Sequence, residues 1–401
     1  MLFTRIQYIA SPMADMNIGF DAKRAYHNNT GLGNYSRTLI TGMVQYYPQN
    51  HYYLFNPTRS AREFAVDWRQ VTEVRPEEWL AKKLPSVWRT NWIKKDIEKT
   101  KLDVFHGLSH EIPVGMQKTA VKSVVTMHDL IFERYPNQYK KIDIQIYRRK
   151  FQYALEHSDR VIAISEQTKR DLVEMYKADV KKIEVCYQSC DPAFSKTVSA
   201  EEKEHVRKQY HLPQEFFLYV GSIIERKNLL TICEALKLLK GESQIPLVVI
   251  GNGKGYKQKV EEYIRANGLE KQVIFLNDQS YVKNDSHFQK PETFAAIYQM
   301  ATALIYPSHF EGFGIPVLEA LWSRVPVITS NVSCMPETGG DGVYYVNPSS
   351  AEEIAEGMRR LQNEQALRDE LIEKGWAHAQ NFTIEKCTRS VMNVYEKLVH
   401  G

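Results

Sequence analysis

Two glutamates, Glu311 and Glu319, lie on either side of a glycine-containing turn that follows an apolar strand. Gly312 and Gly314 would let the backbone approach a ligand closely, and Pro316 suits the first turn of a helix. Because free N–H groups at a helix start bind anions, a diphosphate could lie at this turn. One carboxylate could then hold sugar hydroxyls and the other a ribose; the alternative is an ordinary turn with two solvated glutamates.

Two adjacent cations, Arg226 and Lys227, follow the first apolar strand in the second half of the chain. Gly221, at the end of that strand, would let the backbone approach a phosphate. Fixed positive side chains at this point would stabilise the charge on a departing diphosphate without a metal ion. A solvated helix start often carries the same kind of charged run, so the motif alone leaves both interpretations open.

Two histidine-containing segments also follow predicted strands. The run 124–130 places His128 and Asp129 at the carboxyl end of one strand, and the run 106–110 places His106 and His110 after another. Side chains at such strand ends face the ligand cleft of open α/β sheets. For an isolated histidine the alternative, a satisfied and partly buried imidazole, would be favoured.

A glycine-containing loop follows the first predicted strand, where Gly31 and Gly33 permit a tight connection into a helix. Ser36 occupies the position at which a dinucleotide-binding fingerprint would require a third glycine. The loop is therefore not a dinucleotide site.

The elements that must position these residues are parallel strands, because short apolar, β-branched runs alternate with helical patterns along the chain. The predicted strands are 17–21, 52–56, 104–106, 123–127, 161–164, 183–187, 217–221, 247–251, 273–276, 304–306, 327–329 and 343–346. The polar stretch 191–213 interrupts the pattern, and we predict a linker there. We expect an extension at 1–15, domains at 16–200 and 201–380, and a helix at 381–401 that packs back on the first domain.

The run from Glu311 to Glu319 resembles the Glu-x7-Glu element of retaining glycosyltransferases, and its flanking residues are similar to family 4 of that group. The resemblance covers nearly the whole chain from Met16. It implies the GT-B fold, an α/β architecture of two Rossmann-like, doubly wound parallel-sheet domains that face each other across a cleft. In the family the first glutamate contacts the donor hexose and the second binds the nucleotide ribose.

The resemblance also implies roles for the other motifs. His128 would lie beside the donor sugar, and Arg226 and Lys227 would bind the donor phosphates, so that with Glu311 they form the expected catalytic set. The expected acceptor contacts are His106, His110 and Asp129. The expected donor contacts are Gly31, Gly33, Gly221, Gly312, Phe313, Gly314, Val317, Leu318 and Glu319.

Two segments depart from the family pattern. The run 185–191 lacks the Asn-Gly turn that relatives more often show before Asp191, and Ser323 begins a run in which relatives more often have Cys-Gly. Neither departure removes a chemical group of the expected site, but both leave the choice of nucleotide open.

Composition excludes several classes of function. The 52 basic and 48 acidic residues are too evenly balanced to indicate a nucleic-acid binder. No Asp-x-Asp motif and no Cys/His zinc spacing occur, so we expect no metal and no cofactor besides the nucleotide-sugar co-substrate. Five cysteines without a Cys-x-x-Cys pair, and a start that does not read as a signal peptide, favour the reducing cytoplasm.

We therefore predict the transfer of a hexose, with retention, to an oligosaccharide or lipid-linked glycan in cell-surface polysaccharide synthesis. GDP-mannose is the predicted donor, because the segments 106–110 and 330–337 and the His128 element resemble bacterial mannosyltransferases of polysaccharide assembly. The alternatives are a UDP-hexose-dependent transferase, a sugar-nucleotide epimerase of the same fold, and a non-catalytic sugar-nucleotide-binding subunit. An epimerase would convert donor without an acceptor, and a binding subunit would turn over nothing.

The segment 79–101 holds three of the six tryptophans and seven basic residues, which predicts peripheral contact with the inner face of the membrane. Its apolar residues Leu84, Trp88, Trp92 and Ile93 would share one face. The flanking basic residues are Lys82, Lys83, Arg89, Lys94 and Lys95. The alternative is that the tryptophans pack into the core and the lysines form a solvated rim.

Overall fold

A computed structural model describes residues 15–60 and 66–401, so the predicted extension lies outside the described residues except for Asp15. The first sheet has the strand order β3-β2-β1-β4-β5-β6-β7, and its strands are β1 (Asn17–Asp21), β2 (His51–Phe55), β3 (Val71–Val74), β4 (Val104–Gly107), β5 (Lys122–Met127), β6 (Arg160–Ala163) and β7 (Ile183–Val185). The second has the order β10-β9-β8-β11-β12-β13, with β8 (Phe217–Val220), β9 (Leu247–Ile250), β10 (Val273–Phe275), β11 (Ala303–Tyr306), β12 (Val327–Ser330) and β13 (Tyr344–Val346).

Helices connect these strands. The α-helices are α1 (Lys23–His27), α2 (Gly31–Tyr46), α3 (Trp79–Lys83), α4 (Pro85–Val87), α5 (Lys94–Lys99), α6 (Ile131–Arg134), α7 (Lys141–His157), α8 (Glu166–Tyr176), α9 (Ala200–Gln209), α10 (Leu229–Leu238), α11 (Gly255–Ala266), α12 (Ser280–Lys283), α13 (Pro291–Met300), α14 (Ile315–Trp322), α15 (Met335–Gly339), α16 (Ala351–Asn363), α17 (Gln365–Ala379) and α18 (Ile384–His400). A π-helical turn spans Trp88–Trp92, and short 3-10 turns include Pro192–Ser195 and Glu225–Lys227.

Every strand pairing is parallel, which confirms the predicted α/β architecture of two parallel sheets. The central strands are buried on both faces, as the adjacent buried residues Gly19 and Phe20 in β1 and Leu304 and Ile305 in β11 show. Such strands need apolar residues at every position, which explains their continuous hydrophobic runs.

One strand, β3, is missing from the sequence prediction. Its sequence, Val-Thr-Glu-Val, places two adjacent polar residues between two valines, and among the described residues it pairs only with β2 at the edge of the first sheet. The stretch 191–213 also holds more structure than a linker needs, because α9 packs against α13 of the second domain.

The last helix, α18, crosses from the second domain to the first and packs against α2. Gly42 makes this close packing possible, since a Cβ there would lie 2.2 Å from the Thr388 hydroxyl. The Tyr395 hydroxyl, on α18, lies 2.5 Å from Nδ1 of His106 at the end of the first domain's β4. Helix α18 therefore packs on the first domain although it follows the second in sequence.

The segment 79–101 does not form the apolar face expected from its sequence. Trp88 and Ile93 are each only 1% exposed and belong to the core of the first domain. Arg89 is also buried, because its guanidinium forms ion pairs with Asp21 and Glu111. The π-helical turn, in which Ile93 N–H donates to the Trp88 carbonyl, shifts the helical register, so Leu84 stays exposed while Trp88 turns inward.

The exposed apolar side chains of this segment are instead Trp79 at 71%, Leu80 at 49% and Leu84 at 44%. No helix within residues 15–60 and 66–401 is both long enough and apolar enough to cross a bilayer.

Candidate active site

The loop between β11 and α14 carries Glu311 and forms the centre of the candidate site. Gly312 presses against the first domain, since a Cβ there would lie 2.4 Å from the His128 carbonyl oxygen. Gly314 adopts a left-handed conformation with φ of 93° and precedes α14. Both glycines are therefore required by local geometry, one for close approach and the other for its backbone conformation.

Glu311 is the hub of a buried charge cluster. Its Oε1 lies 2.8 Å from Nη1 of Arg226 and 3.0 Å from Nζ of Lys227. The same oxygen accepts hydrogen bonds from the Tyr306 hydroxyl at 2.9 Å and the Ser308 hydroxyl at 3.1 Å. Among the described residues no side chain donates to Oε2, which leaves this oxygen able to accept a hydrogen bond from a ligand hydroxyl.

Burial alone would raise the pKa of Glu311, but Lys227 and Arg226 outweigh it and lower that pKa to about 2. The carboxylate is therefore charged at neutral pH. Two cations face one carboxylate, so the cluster carries net positive charge, as a site for an anion requires.

Arg226 supplies a further donor. Its side chain is only 7% exposed, and Nη1 donates to the Phe310 carbonyl as well as pairing with Glu311. Its Nε is buried and has no hydrogen-bond acceptor in the part of the chain that the structure describes. An unpaired buried donor is costly, so this N–H is available to an anionic ligand.

Gly221 adopts a φ of 151°. The Lys227 side chain lies 3.2 Å from the position that a Cβ of residue 221 would occupy. Its N–H donates to the Ile250 carbonyl at 2.9 Å. The N–H of Gly221 is therefore already used within the protein and is not available for the expected donor contact.

Glu319, on α14, accepts a hydrogen bond at Oε2 from the Tyr298 hydroxyl at 2.8 Å. Burial raises the pKa of Glu319 to about 8, although the Tyr298 hydroxyl acts in the opposite direction. Without a ligand, Glu319 is therefore mostly protonated at neutral pH, whereas Glu311 is ionised. The two glutamates of the motif differ because only Glu311 contacts cations directly.

Three expected donor contacts have side chains that do not face the cleft. Phe313 is 2% exposed and packs against Tyr187 and Phe382, and Val317 and Leu318 have no exposed surface. Apolar residues on the inner face of α14 are buried against the second domain's core, which accounts for their positions.

His128 occupies the end of β5, where it meets the Glu311 loop. Its Nε2 lies 2.9 Å from the Leu108 carbonyl, so a neutral ring carries its proton there and Nδ1 is left as an acceptor. Burial, together with the smaller effect of repulsion from His110, lowers the pKa of His128 to about 3. His128 can therefore accept a hydrogen bond from a sugar hydroxyl but is not a charged acid at neutral pH.

His110 lies next to His128, with ring centroids 5.1 Å apart, and stacks on Phe151 at 4.8 Å. Its Nδ1 accepts from the His128 N–H at 3.3 Å, which leaves Nε2 as the protonated nitrogen of the neutral ring. Burial lowers the pKa of His110 to about 4. His110 has a φ of 65°, a strained conformation that often occurs at functional sites.

The structure does not place His106, an expected acceptor contact, at the surface of the cleft. His106 has no exposed surface, and both ring nitrogens are occupied, Nδ1 by Tyr395 at 2.5 Å and Nε2 by Thr126 at 2.7 Å. Its place in the interior of β4, with α18 packed over it, makes it a structural residue. Asp129, by contrast, is partly exposed, and burial raises its pKa while the Ile131 N–H donates to Oδ1 at 3.0 Å.

The two glycines of the loop before α2, Gly31 and Gly33, have different structural roles. A Cβ at Gly33 would lie 1.9 Å from the Asn28 carbonyl oxygen, so Gly33 is needed to close the loop. Gly31 begins α2 and has open space where a side chain would be, which leaves its backbone accessible to a ligand.

Contacts between the domains join the two halves of the site, and sequence analysis missed them. The Ser165 hydroxyl donates to the Gly312 carbonyl at 2.7 Å. Glu337, on α15 of the second domain, accepts from the backbone N–H groups of Glu166 and Gln167 at 2.6 and 2.9 Å. It thereby caps the N-terminus of α8 in the first domain, where a carboxylate is favoured. In the sequence, the only indication that Glu337 has a role was its position in the segment 330–337, which resembles bacterial mannosyltransferases.

Two family models match the chain. One, described as Glycosyltransferase Family 4, covers residues 30–194 in the first domain, and the other, described as Glycosyl transferases group 1, covers residues 201–377 in the second. Together with the two parallel sheets, they define a GT-B glycosyltransferase, which is an enzyme. The chain belongs to family 4, group 1, of these enzymes.

Similar proteins include two bacterial mannosyltransferases. O-antigen chain mannosyltransferase B of Escherichia coli is 25% identical over 77% of this chain and 77% of its own length. O-antigen chain mannosyltransferase RfbU of Salmonella typhimurium is 26% identical over 63% of each chain. The solved structure of the sucrose-phosphate synthase of Thermosynechococcus elongatus superposes with a TM-score of 0.73 at 19% identity, over 96% of this chain and 99% of that one.

Proposed function

We propose that this enzyme transfers a mannosyl residue from GDP-mannose to a carbohydrate hydroxyl, with retention at the anomeric carbon, in the assembly of a cell-surface polysaccharide. The observation that carries this proposal is the buried cluster of Arg226, Lys227 and Glu311 at the carboxyl edge of the second sheet. The choice of mannose is supported by the names of the relatives, two O-antigen mannosyltransferases.

The cluster suits a nucleoside diphosphate sugar. Lys227 and the unpaired Nε of Arg226 would bind the diphosphate, whose oxygens match charged N–H donors. Oε2 of Glu311 would accept a hydroxyl of the hexose, and Glu319 would bind the ribose. His128, neutral and with Nδ1 as an acceptor, would hold another sugar hydroxyl.

Bond breaking would proceed on one face of the sugar. The acceptor hydroxyl attacks the anomeric carbon from the face on which the diphosphate leaves, so a C–O bond to the acceptor forms as the C–O bond to phosphate breaks. The proton of the acceptor hydroxyl passes to the departing phosphate oxygen. Arg226 and Lys227 stabilise the charge that develops on that phosphate, which is why we propose that no metal ion is required.

The acceptor would be an oligosaccharide or a lipid-linked glycan at the inner face of the cytoplasmic membrane. Exposed Trp79, Leu80 and Leu84 next to Lys82 and Lys83 support a peripheral membrane contact. This contact surface differs from the one expected from sequence, because it excludes the buried Trp88 and Ile93.

Calorimetric titration with GDP and UDP, followed by a donor screen that measures nucleotide release, tests the proposal. We expect tighter binding of GDP, and release from GDP-mannose that depends on an oligosaccharide acceptor. Lys227→Ala should reduce transfer about a hundredfold, whereas Lys237→Ala, an exposed lysine on α10, should not change it.

Each alternative gives a different outcome. Tighter binding of UDP would refute GDP-mannose as the donor. Donor conversion that is equally fast without any acceptor would indicate an epimerase, and binding without turnover of any donor would indicate a non-catalytic subunit.

A further inference from the structure

Two adjacent cations, Lys23 and Arg24, begin α1 directly after β1. In the first sheet β1 lies between β2 and β4, so the strand order reverses at this strand. Open α/β sheets bind ligands at the carboxyl ends of the strands where the order reverses. Lys23 and Arg24 therefore occupy the usual ligand position of the first domain, opposite the charge cluster of the second.

The nearby carboxylates are already neutralised by other cations. Nε of Arg89 donates to both carboxylate oxygens of Asp21, at 2.8 and 3.0 Å, and its Nη1 pairs with Glu111. The second Glu111 oxygen pairs with Nζ of Lys150 at 2.7 Å. Because Arg89 and Lys150 form the direct ion pairs of both acids, neither acid pairs directly with Lys23 or Arg24, although both attract the Lys23 ammonium at longer range.

Lys23 and Arg24 have no ion-pair partner within residues 15–60 and 66–401. Nε of Arg24 is also buried without a hydrogen-bond acceptor in this part of the chain. A buried guanidinium N–H normally finds an acceptor, so its lack of one indicates a place for an external anion.

The positive charge of Lys23 and Arg24 lies close to the histidines of the candidate site. Burial lowers the pKa of Lys23, and repulsion from Arg89 and Arg24 acts in the same direction. Repulsion from Arg24 also acts to lower the pKa of His110 and of His128, so its charge lies close to the residue proposed to hold the donor sugar. An anion bound here would relieve this repulsion on the first-domain side of the cleft.

We infer that Lys23 and Arg24 bind a phosphate or diphosphate group of the acceptor. Two adjacent cations, one of them an arginine with an unused N–H, match the charge and the several oxygens of a phosphate better than those of a neutral sugar. This inference rests on the proposed function, which places the donor in the second domain and leaves the first domain to the acceptor. The phosphate could belong to a phosphorylated sugar or to the diphosphate that joins a glycan to a lipid carrier.

The test is calorimetric titration of inorganic pyrophosphate and of inorganic phosphate into protein saturated with GDP or UDP, whichever binds. The nucleotide fills the Arg226–Lys227 site, so the second titration reports on other sites. We expect pyrophosphate binding that Arg24→Ala and Lys23→Ala each weaken about tenfold or more, and that Arg24→Lys partly restores. Tighter binding of pyrophosphate indicates a diphosphate-linked acceptor, and equal binding of both anions indicates a phosphorylated sugar.

Arg148→Ala is the matched control, because Arg148 lies in the same domain but is exposed and paired with Glu133 at 2.9 Å. Its pyrophosphate binding should equal that of the wild type. Absence of pyrophosphate binding, or equal binding by wild type, Arg24→Ala and Lys23→Ala, would overturn the inference. If neither nucleotide binds, the proposed function fails, and the dependence of pyrophosphate binding on Arg24 and Lys23 in nucleotide-free protein still decides this inference.

Discussion

Replacing Glu311 with glutamine should destabilise the protein in a way that depends on pH. Glutamine keeps the shape of the side chain and removes its charge, so it mimics the protonated carboxyl. The substitution leaves Arg226 and Lys227 buried without their counter-charge, and breaking a buried ion pair in this way is strongly destabilising.

The magnitude follows from the pKa of Glu311, which is about 2 in the folded protein against an ordinary value of 4.5. A pKa lowered by folding contributes stability above the unfolded value of 4.5, and this stability is lost as the pH falls towards about 2. The free energy of unfolding of Glu311→Gln should therefore be about 3 kcal/mol below that of the wild type at about pH 7, and only about 2 kcal/mol below it at about pH 3.5.

Urea unfolding followed by tryptophan fluorescence, at several pH values between these limits, measures this difference. Glu225→Gln is the control, because Glu225 is an exposed carboxyl next to Arg226 and its replacement leaves the buried cluster intact; its free energy of unfolding should lie within about 0.5 kcal/mol of the wild-type value. A difference for Glu311→Gln that is close to zero, or that stays constant with pH, would refute the assignment of Glu311 as the buried counter-charge.

Three further predictions follow from the site and its surroundings. Because burial raises the pKa of Glu319 to about 8, calorimetry should show nucleotide affinity rising from about pH 6.5 to about pH 9 as the carboxylate forms, and Glu319→Gln should abolish that rise. Transfer should survive EDTA, since Arg226 and Lys227 supply the positive charge; a loss of about tenfold that Mg²⁺ or Mn²⁺ restores would contradict the proposed phosphate site. Co-sedimentation with anionic vesicles at low salt should weaken in a Trp79→Ser, Leu80→Ser variant but not in Trp68→Ser, whose side chain is 48% exposed outside this segment; equal binding by all three proteins would exclude the surface.

The sequence predicted the strands well where burial on both faces demands a continuous apolar run, as in β1 and β11. It did not predict β3, because an edge strand needs only one neighbour and can carry adjacent polar residues, here Thr72 and Glu73. The segment 79–101 was misread for a different reason. The π-helical turn directs Trp88 inward, and the burial of Arg89 depends on Asp21 and Glu111, which are remote in sequence, so helical periodicity predicts neither.

The candidate site was likewise predicted only in part from the sequence. Residue types at strand ends located Glu311, Arg226, Lys227 and His128, which the fold brings to one cleft. The sequence could not reveal that contacts converge on one oxygen of Glu311, because this depends on side-chain geometry. Nor could it reveal that His106 is structural, since its partner Tyr395 is 289 positions away.

The return of α18 to the first domain sets the order in which the chain can assemble. During synthesis, the residues of the first sheet emerge first, but α2 and His106 lack their packing partners until residue 395 has been made. The second domain, whose strands lie between Phe217 and Val346, can complete its sheet earlier. Translation therefore completes the packing of the first domain last, although the strands of its sheet are made first.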